Sequence, residues 1–420
     1  MADDVLIIGA GTMGAGIAQV AAVAGWTARL RDVDAATAGA AIEGIGKRLD
    51  RLVEKGRMTA AERDAARGRL LVSATEDGLA GCSLVIEAVV EDLDVKASVL
   101  RALLAALPDD CVIATNTSSL SVTALGEAVG EPARTVGMHF FNPAPLLPLV
   151  EVIAGARTDP RIVDRVSAIA AAWGKRVARA ADAPGFIVNH VARPFYLEAF
   201  RILEDGCAGP AEIDAAMTGL GGFRMGPLEL TDLIGQDVNA ATTRSVWERL
   251  DRPPLLRPSR LQEDLVRGGA LGRKTGRGVY DYAGDEPVAA IETPRRPLPA
   301  GPAIEASARA FAEAATGRAG SALENYVFAR ILGALIVQAA LARERGVAGK
   351  DDIDTALRYG TNYPLGPFEW AARIGPERCR RLLDALEKET RDGRFALPAS
   401  LQATEGTTPC DATPRSSSCC

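Results

Sequence analysis

Histidine is the side chain that most readily exchanges a proton near neutral pH, and this chain has only two, His139 and His190. His139 follows an apolar run at 135–138 that is typical of a strand. An imidazole at the carboxyl edge of a sheet can take the proton of an alcohol while a hydride leaves the same carbon. The position therefore predicts that His139 is a general base, and that His190, inside a long helical pattern, is structural.

A general base of this kind needs an acceptor on its second ring nitrogen, and Glu151 is the candidate. Glu151 lies twelve residues beyond His139, inside the apolar run 149–153, where an acid is not expected for solvation alone. Spacing does not show contact, so two unrelated surface residues remain the alternative at this point.

A glycine-rich segment, Gly9-Ala-Gly11-Thr-Met-Gly14, follows an apolar run at 5–8 and opens a helical pattern. In such a motif the first glycine allows a tight turn, the second lets the backbone approach a pyrophosphate, and the third packs the helix against the strand. The helix begins at Thr12 and Met13, and its free amides face the phosphates. The pattern predicts a dinucleotide site, with an ordinary glycine-rich turn as the alternative.

The nature of the dinucleotide is indicated by Asp32, which lies 18 residues after Gly14 at the end of the second predicted strand. A carboxylate there accepts a hydrogen bond from a ribose 2′-hydroxyl and repels a 2′-phosphate, which favours NAD over NADP. Glu91, just after another predicted strand, is placed near the same cofactor.

Two hydroxyl side chains, Ser118 and Ser119, follow the predicted strand at 112–114. Hydroxyls at the carboxyl end of a strand either form a turn or donate hydrogen bonds to a substrate. The residues alone leave these two interpretations open.

Short apolar runs alternate with helical patterns from Val5 to about residue 181, as in a parallel sheet with crossover helices. We therefore predict an α/β, doubly wound, Rossmann-like dinucleotide-binding domain over residues 1–184. The predicted strands lie at 5–8, 27–30, 84–87, 112–114, 135–138, 149–153 and 176–178.

Only helical patterns follow residue 184, and we assign a helical domain to residues 185–283, with a kink where Pro194 interrupts its first long helix. Proline, glycine and alanine accumulate over residues 284–320, which predicts a linker holding one short helix. Residues 403–420 are rich in Thr, Ser and Pro and are predicted to be a disordered tail.

An internal repeat indicates that the helical domain occurs twice, so that two all-α domains follow the sheet domain. The second copy, residues 321–402, is degenerate because it places Ala329 and Arg330 opposite Asn189 and His190. We predict that it is structural and buries the apolar surface of the first copy. The residues that recur 140 positions later are Gly206, Ile213, Asp214, Gly226, Pro227, Glu229, Ile234 and Gly235.

The composition limits the function classes. The 420 residues are 48% hydrophobic and carry a net charge of −6, which offers no global field for nucleic acid. No apolar run reaches about 18 uninterrupted residues, so no membrane span is expected. Seven cysteines without CxxC spacing indicate neither a disulfide framework nor a metal site. We expect a cytoplasmic protein.

Longer motifs resemble the L-3-hydroxyacyl-CoA dehydrogenase family, from about residue 4 to 282, and the repeat extends the resemblance to about 385. The tandem helical domains are similar to those of the 3-hydroxybutyryl-CoA and 3-hydroxyadipyl-CoA branches, the latter acting in phenylacetate degradation. The motifs are Asn116-Thr-Ser-Ser-Leu120, Gly137-Met-His-Phe-Phe-Asn-Pro143, Leu149-Val-Glu-Val-Ile153, Pro184-Gly-Phe-Ile-Val-Asn189 and Met225-Gly-Pro-Leu-Glu229.

The resemblance implies roles for individual residues. His139 is implied to be the general base and Glu151 its orienting carboxylate, while Ser118 and Asn189 donate hydrogen bonds near the substrate oxygens. NAD is implied to lie across the segment from Gly9 to Gly14. Further cofactor contacts are implied for Asp32 at the adenosine ribose, Glu91 on the nicotinamide side, and Asn116.

A coenzyme A contact is implied for the helical hairpin after the second strand. Lys47, Arg51 and Lys55 lie in that segment, together with Arg48 and Arg57, and form a local cationic patch in an acidic protein. A solvated helix face is the alternative interpretation of these charges.

The sequence thus predicts NAD-dependent oxidation of an L-3-hydroxyacyl-CoA to the 3-oxoacyl-CoA, by a chain that we expect to form a homodimer. One alternative is a dehydrogenase of a free sugar acid such as gulonate, because a related branch acts on gulonate. Another is a non-catalytic NAD-binding or structural protein. The length of the acyl group, and whether it carries a second carboxylate, stay open.

Overall fold

The computed structural model describes residues 4–292, 294–298 and 302–402, so the predicted disordered tail at 403–420 lies outside the described residues. The first part of the chain forms one eight-stranded sheet. Its strands are β1 (Asp4–Ile8), β2 (Thr27–Arg31), β3 (Leu70–Val72), β4 (Cys82–Glu87), β5 (Val112–Thr115), β6 (Thr135–Phe140), β7 (Leu149–Ala154) and β8 (Arg176–Ala181).

Helices cover both faces of this sheet. Those numbered α1, α2, α3 and α6 share one apolar core with the sheet, and α4 and α5 share another on the opposite face. The helices are α1 (Thr12–Val23), α2 (Ala35–Glu54), α3 (Ala60–Gly68), α4 (Leu93–Arg101), α5 (Val122–Val129) and α6 (Pro160–Ala172).

The strand order is β3-β2-β1-β4-β5-β6-β7-β8, and β1 to β6 are parallel, as predicted. The prediction of an all-parallel sheet is wrong at β7, which pairs antiparallel with β6. The connection at 141–148 is too short for the crossover helix that parallel strands need. The sequence analysis also missed β3, a three-residue edge strand that leaves Leu71 and Val72 exposed.

The second part of the chain is mainly helical, and the predicted α/β domain followed by helical domains is confirmed. The exception to the predicted all-α pattern is one antiparallel pair of two-residue strands, at 280–281 and 288–289. The long helix expected here is interrupted at Ala192, next to Pro194. The elements are α7 (Val188–Val191), α8 (Arg193–Glu204), α9 (Pro210–Ala215), a π-helical turn (Ala216–Leu220), α10 (Pro227–Ile234), α11 (Gln236–Arg249), α12 (Arg260–Arg267), β9 (Tyr280–Asp281), β10 (Val288–Ala289), α13 (Pro302–Thr316), α14 (Ala322–Glu344), α15 (Lys350–Gly360), α16 (Pro367–Ile374), α17 (Pro376–Thr390) and α18 (Ala399–Gln402).

The internal repeat has a structural counterpart. Asp214 accepts hydrogen bonds from the backbone amides of Leu228 and Glu229, both at 2.9 Å. Asp354 accepts from Phe368 and Glu369 at 2.8 and 3.0 Å. In each copy the aspartate therefore satisfies the free amides at the start of the next helix.

The segment 284–320 is more than the predicted linker with a short helix. Helix α13 has fifteen residues and packs against α14 and α17. Its apolar residues recur at helical spacing and so form one buried face. These buried residues are Ile304, Ala308, Phe311, Ala312 and Ala315.

Helix α14 has the length and the apolar composition of a membrane-crossing helix. However, 94% of its most apolar stretch is buried inside the protein. The helix packs against α8 and α13, so its apolar character matches the interior that it occupies.

A buried group of charges joins the two helical copies. Glu198, on α8, has no solvent exposure and contacts Arg201 at 2.5 Å, Arg330 at 2.9 Å and Arg394 at 3.2 Å. Burial opposes ionisation of this carboxyl, but the three arginine charges outweigh it and lower the pKa of Glu198 to about 2. We call these four residues the Glu198 cluster.

Replacement of Glu198 by Gln should destabilise the protein by about 3–5 kcal/mol, because it leaves buried guanidinium groups without their counter-ion. Urea unfolding at pH 7 measures the loss. Since the pKa of Glu198 is lowered on folding, its contribution is present at neutral pH and is lost as the pH falls towards 2. Glu377→Gln is the matched control, because Glu377 faces Arg380 and Arg381 in solvent. Equal loss in both variants would contradict the prediction.

Candidate active site

The two residues predicted to act as base and orienting acid are brought together by the sheet. His139 and Glu151 are direct partners in the antiparallel register of β6 and β7. His139 lies inside β6 rather than just past it, since the strand continues to Phe140. Its Nδ1 lies 2.7 Å from Oε2 of Glu151. Residue His139 is 6% exposed and Glu151 is fully buried, so the pair is largely shielded from water.

The second oxygen of Glu151 holds the start of the helical region. Oε1 accepts hydrogen bonds from the backbone amides of Ile187 at 3.1 Å and Val188 at 2.8 Å. The chain enters this turn through Gly185 and Phe186, both with positive φ. A Cβ at Gly185 would lie 2.8 Å from a Val246 methyl group, so glycine is required for this close approach.

Ser118 and Ser119 lie in a turn that is organised by Glu91. Oε1 of Glu91 accepts from the Thr117 hydroxyl at 2.6 Å and from the backbone amides of Ser118 and Ser119, each at 3.0 Å. Burial opposes ionisation of Glu91, but these hydrogen bonds and the charge of Lys96 outweigh it and lower its pKa. Glu91 is therefore a negatively charged anchor for the turn that carries Ser118.

A buried pair, Glu87 and Lys96, lies next to Glu91 and was not predicted from the sequence. Lys96 is 1% exposed and lies 2.8 Å from Glu87 and 3.3 Å from Glu91. Glu87, at the end of β4, also accepts from the Thr115 hydroxyl; burial raises the pKa of its carboxyl despite Lys96. The sequence signal for this pair was an acid at the end of an apolar strand, Glu87, followed nine residues later by Lys96.

Asn116 and Asn189 are each next to the surroundings of the His139–Glu151 pair, Asn116 in the sheet domain and Asn189 in the helical region. Asn116 follows β5, and its Oδ1 accepts from the Phe140 amide at 2.9 Å, next to His139. Asn189 is half-buried on α7, immediately after the Val188 amide held by Glu151. Arg249 of α11 donates to the carbonyl oxygen of Ser119, so the helical region contacts the serine turn directly.

His190 is placed away from this chemistry. It is fully buried, and its Nδ1 lies 3.1 Å from the Pro184 carbonyl oxygen. Burial lowers the pKa of His190 to about 4, which keeps the ring neutral at physiological pH.

The glycine segment fits a dinucleotide. Gly9 has φ +101°, and a Cβ at Gly14 would lie 1.8 Å from the Gly9 carbonyl oxygen, so the protein itself requires these two glycines. Gly11 differs, because a Cβ there would meet nothing within 4 Å. Gly11 and Thr12 are exposed where α1 begins, and Gly11 provides no side-chain cap. Half-buried Met13 follows. The backbone amides at this helix start have no side-chain cap and are therefore suited to bind a pyrophosphate.

Asp32 lies directly after β2 and is held by its own surroundings. Its Oδ1 accepts from the Val33 amide at 2.7 Å, and Oδ2 from the Ala10 amide at 2.5 Å. A cavity of about 220 Å³ lies beside it, lined by residues that include Gly9, Arg31 and Val89. A carboxylate next to a partly apolar cavity fits the ribose and base of an adenosine.

The cationic residues lie on α2 and just after it. Lys47, Arg51 and Lys55 are exposed, at intervals of about one helical turn. Arg48 instead donates to Oε1 of Gln19 at 2.8 Å. Arg48 lines a cavity of about 850 Å³ between α1 and the 143–148 connection, which the sequence analysis did not anticipate.

The free amides of the glycine loop, Asp32 and the buried His139–Glu151 pair together define an NAD-binding dehydrogenase. Within the described residues no group of His, Cys, Asp and Glu side chains is arranged to hold a metal ion.

Comparison with known proteins specifies the family. The model of the 3-hydroxyacyl-CoA dehydrogenase NAD binding domain matches residues 4–183, and that of the 3-hydroxyacyl-CoA dehydrogenase C-terminal domain matches residues 185–282 and 326–405. The chain therefore belongs to the 3-hydroxyacyl-CoA dehydrogenase family, which confirms the resemblance of its motifs. Both helical copies correspond to the C-terminal domain of this family.

Individual relatives agree. A 3-hydroxyadipyl-CoA dehydrogenase of Escherichia coli (strain K12) is 38% identical over 94% of this chain and 96% of its own length. A 3-hydroxybutyryl-CoA dehydrogenase of Bradyrhizobium diazoefficiens is 41% identical over 67% of this chain and 96% of its own length. A crystal structure of 3-hydroxybutyryl-CoA dehydrogenase from E. coli K12 superposes with a TM-score of 0.85, at 36% identity, and covers 96% of this chain and 98% of the other.

Substitution of Gly11 separates cofactor binding from folding. Gly11→Ala should leave the melting temperature unchanged, because the new methyl group meets no protein atom. It should weaken NADH binding about tenfold or more, because the methyl group occupies the space where the pyrophosphate must approach. Gly14→Ala is the contrasting variant and should lower the melting temperature. Thermal unfolding and NADH fluorescence titration measure both effects; unchanged NADH affinity in Gly11→Ala would contradict the assignment.

Proposed function

We propose that this protein oxidises an L-3-hydroxyacyl-CoA to the 3-oxoacyl-CoA with NAD, and that His139 is the general base. The observation that carries the proposal is the contact of 2.7 Å between Nδ1 of His139 and the buried carboxylate of Glu151. The family membership of both the NAD-binding and the helical parts supports the same reaction.

The geometry determines how the base works. Because Glu151 faces Nδ1, that nitrogen carries the proton in the neutral ring, and Nε2 keeps a lone pair for the substrate hydroxyl. When Nε2 takes the hydroxyl proton, the adjacent carboxylate stabilises the imidazolium. NAD, when bound, supplies the acceptor for the hydride that leaves C3 of the substrate. Proton and hydride removal then leave a carbonyl at C3.

Substrate orientation is proposed for residues of both domains. Ser118, held in its turn by Glu91, and Asn189, at the start of the helical region, are suited to donate hydrogen bonds to the substrate oxygens. Glycine-loop residues from Gly9 to Gly14, Asp32, Glu91 and Asn116 are proposed to contact NAD. Because Asn189 and the base lie on different domains joined through Glu151, substrate binding and domain closure are coupled.

Lys47, Arg51 and Lys55 are proposed to meet the phosphates of coenzyme A. Their exposure on one helical hairpin gives a cationic surface in a chain of net charge −6. This surface favours a CoA thioester over a free sugar acid, since gulonate carries only one carboxylate. Comparison of acetoacetyl-CoA with gulonate in an NAD(H) absorbance assay tests the choice, and tight NADH binding without turnover of either would favour a non-catalytic protein.

We further propose a cytoplasmic homodimer without nucleic-acid or membrane partners. Four cysteines, Cys82, Cys111, Cys207 and Cys379, are buried as free thiols, which supports a reducing compartment. Sedimentation of the full chain measures the oligomeric state.

His139→Gln should lower kcat for acetoacetyl-CoA reduction by about 10²–10⁴-fold, because the amide of Gln cannot donate the proton that the imidazole gives to the oxygen at C3. The NADH dissociation constant should stay unchanged, since His139 lies outside the glycine loop. Steady-state kinetics and NADH titration on the same sample measure both. Turnover within threefold of the unmodified protein would refute the role of His139.

Glu151→Gln keeps the shape of the acid but reverses the hydrogen bond to His139. The amide group of Gln donates to Nδ1, so the proton moves to Nε2 and the ring can no longer accept from the substrate. We expect kcat to fall by about 10²–10⁴-fold in steady-state kinetics. His190→Gln, a change in a buried histidine outside this pair, should keep kcat within about threefold of the unmodified protein. An equal loss of kcat in both variants would contradict the role of Glu151.

A further inference from the structure

Arg193, the first residue of α8, is a buried arginine without an acid partner among the described residues. It is 4% exposed, and its Nη1 donates weakly to the Asn239 carbonyl oxygen at 3.4 Å and to the Thr243 hydroxyl at 3.3 Å. The ring of Tyr196 lies 4.9 Å from the guanidinium carbon. Burial lowers the pKa of Arg193, and the groups that oppose this effect are tyrosines, not carboxylates.

Other buried arginines of this protein are compensated. Arg201 and Arg330 both contact Glu198, and Arg330 also contacts Asp205 at 2.8 Å. A buried cation without a counter-ion is costly, and the cost is avoided when a bound anion provides the missing charge. Arg193 thus has the environment of an anion-binding residue rather than of a structural ion pair.

The unsatisfied polar atoms around Arg193 can all donate hydrogen bonds. They are Nε of Arg193 and Nδ2 of Asn239. Asn239 contacts Arg193 through its backbone, and its own Oδ1 accepts from Gln262 at 3.1 Å, which leaves its amide group unused. The charge of Arg193 also acts on the buried phenol of Tyr363. A carboxylate, which only accepts hydrogen bonds, complements such a group of donors.

The position of Arg193 relates this group to the substrate. Arg193 follows Asn189 by four residues, across the short interruption at Ala192. One helical turn advances about 5.4 Å, while three carbon–carbon bonds, from C3 to the terminal carbon of a six-carbon acyl chain, span roughly 4 Å. An acyl chain fixed at C3 near Asn189 can therefore place a terminal carboxylate within reach of the long Arg193 side chain. A four-carbon acyl group ends too early.

Given the proposed function, on which this step rests, we infer that Arg193 determines specificity by binding a carboxylate at the far end of the acyl chain. The substrate class is then a 3-hydroxyacyl-CoA of a dicarboxylic acid. The planar guanidinium offers Nε and an Nη group as a fork for the two carboxylate oxygens. A terminal methyl group in the same place leaves the donors unsatisfied.

A second arginine nearby provides the matched control. Arg224 is exposed and lines a cavity of about 330 Å³ between the two helical copies, together with Phe195, Phe223 and Tyr363. Water solvates its charge, so binding of a carboxylate there contributes little. Substitution of Arg224 removes the same charge from the same neighbourhood without touching the buried site.

The test compares adipyl-CoA with hexanoyl-CoA as inhibitors of acetoacetyl-CoA reduction. Both lack the reacting oxygen at C3 and have six-carbon acyl chains, so they differ only in a terminal carboxylate or methyl group. The full-length protein should bind adipyl-CoA about 10- to 100-fold more tightly, as expected for charge-assisted hydrogen bonds in a buried site. Arg193→Met should reduce this preference to about threefold or less, and Arg224→Met should retain it.

Three controls decide among the outcomes. Arg193→Met should keep kcat/KM for acetoacetyl-CoA within about threefold, and its melting temperature should not fall, because it removes an uncompensated buried charge. Arg193→Lys should restore part of the preference without the bidentate geometry. Equal affinity of the unmodified protein for both inhibitors, equal loss for both in Arg193→Met, or loss of the preference in Arg224→Met would overturn the inference. Absence of any 3-oxoacyl-CoA turnover by the unmodified protein would instead contradict the proposed function.

Discussion

The two oxygens of Glu151 bind groups from different parts of the molecule. One faces the imidazole of His139 at 2.7 Å, and the other accepts the amides of Ile187 and Val188, where the helical region begins. Such a buried carboxylate is stable only while both sets of donors are present. The hydrogen bond at Nδ1 of His139 and the attachment of the helical region therefore depend on the same carboxylate.

The second helical copy has kept the framework of the first and carries Ala329 where the first carries Asn189. In each copy an aspartate, Asp214 or Asp354, accepts a hydrogen bond from an amide at the start of a helix, α10 or α16. At the position equivalent to His190 the second copy carries Arg330, which joins Glu198 of the first copy. Gly360, at the end of α15, approaches Leu149 and Val188 so closely that a Cβ would lie 2.6 Å from a Leu149 methyl group. The second copy thus packs directly against β7, which carries Glu151, and against α7, whose first amide Glu151 binds.

The sequence predicted best those parts of the site whose geometry depends on residues that are close together in the chain. The glycine loop needs its residues at fixed spacing, and Asp32 ends the next strand, so both follow from local geometry. The His139–Glu151 contact depends on the antiparallel direction of β7, which the predicted parallel sheet did not contain. The position of Glu151 in an apolar run made it a candidate partner, and the family motifs strengthened that pairing. Lys96 lies only nine residues after Glu87, but a single acid–lysine spacing does not show burial or contact. The environment of Arg193 arises from packing between distant segments, which leaves no periodic trace in the chain.

The antiparallel pairing of β6 and β7 limits how this family member can vary. Neighbouring residues of a strand point to opposite faces of the sheet, so a slip of β7 by one position moves Glu151 to the wrong side and brings Val150 or Val152 opposite the imidazole. Of the two faces of the sheet to which residue 151 can point, only one brings its side chain to the imidazole of His139. An insertion in the 141–148 connection that leaves the pairing of β6 with β7 in place keeps the two side chains together, whereas one that shifts the pairing by a single residue separates them.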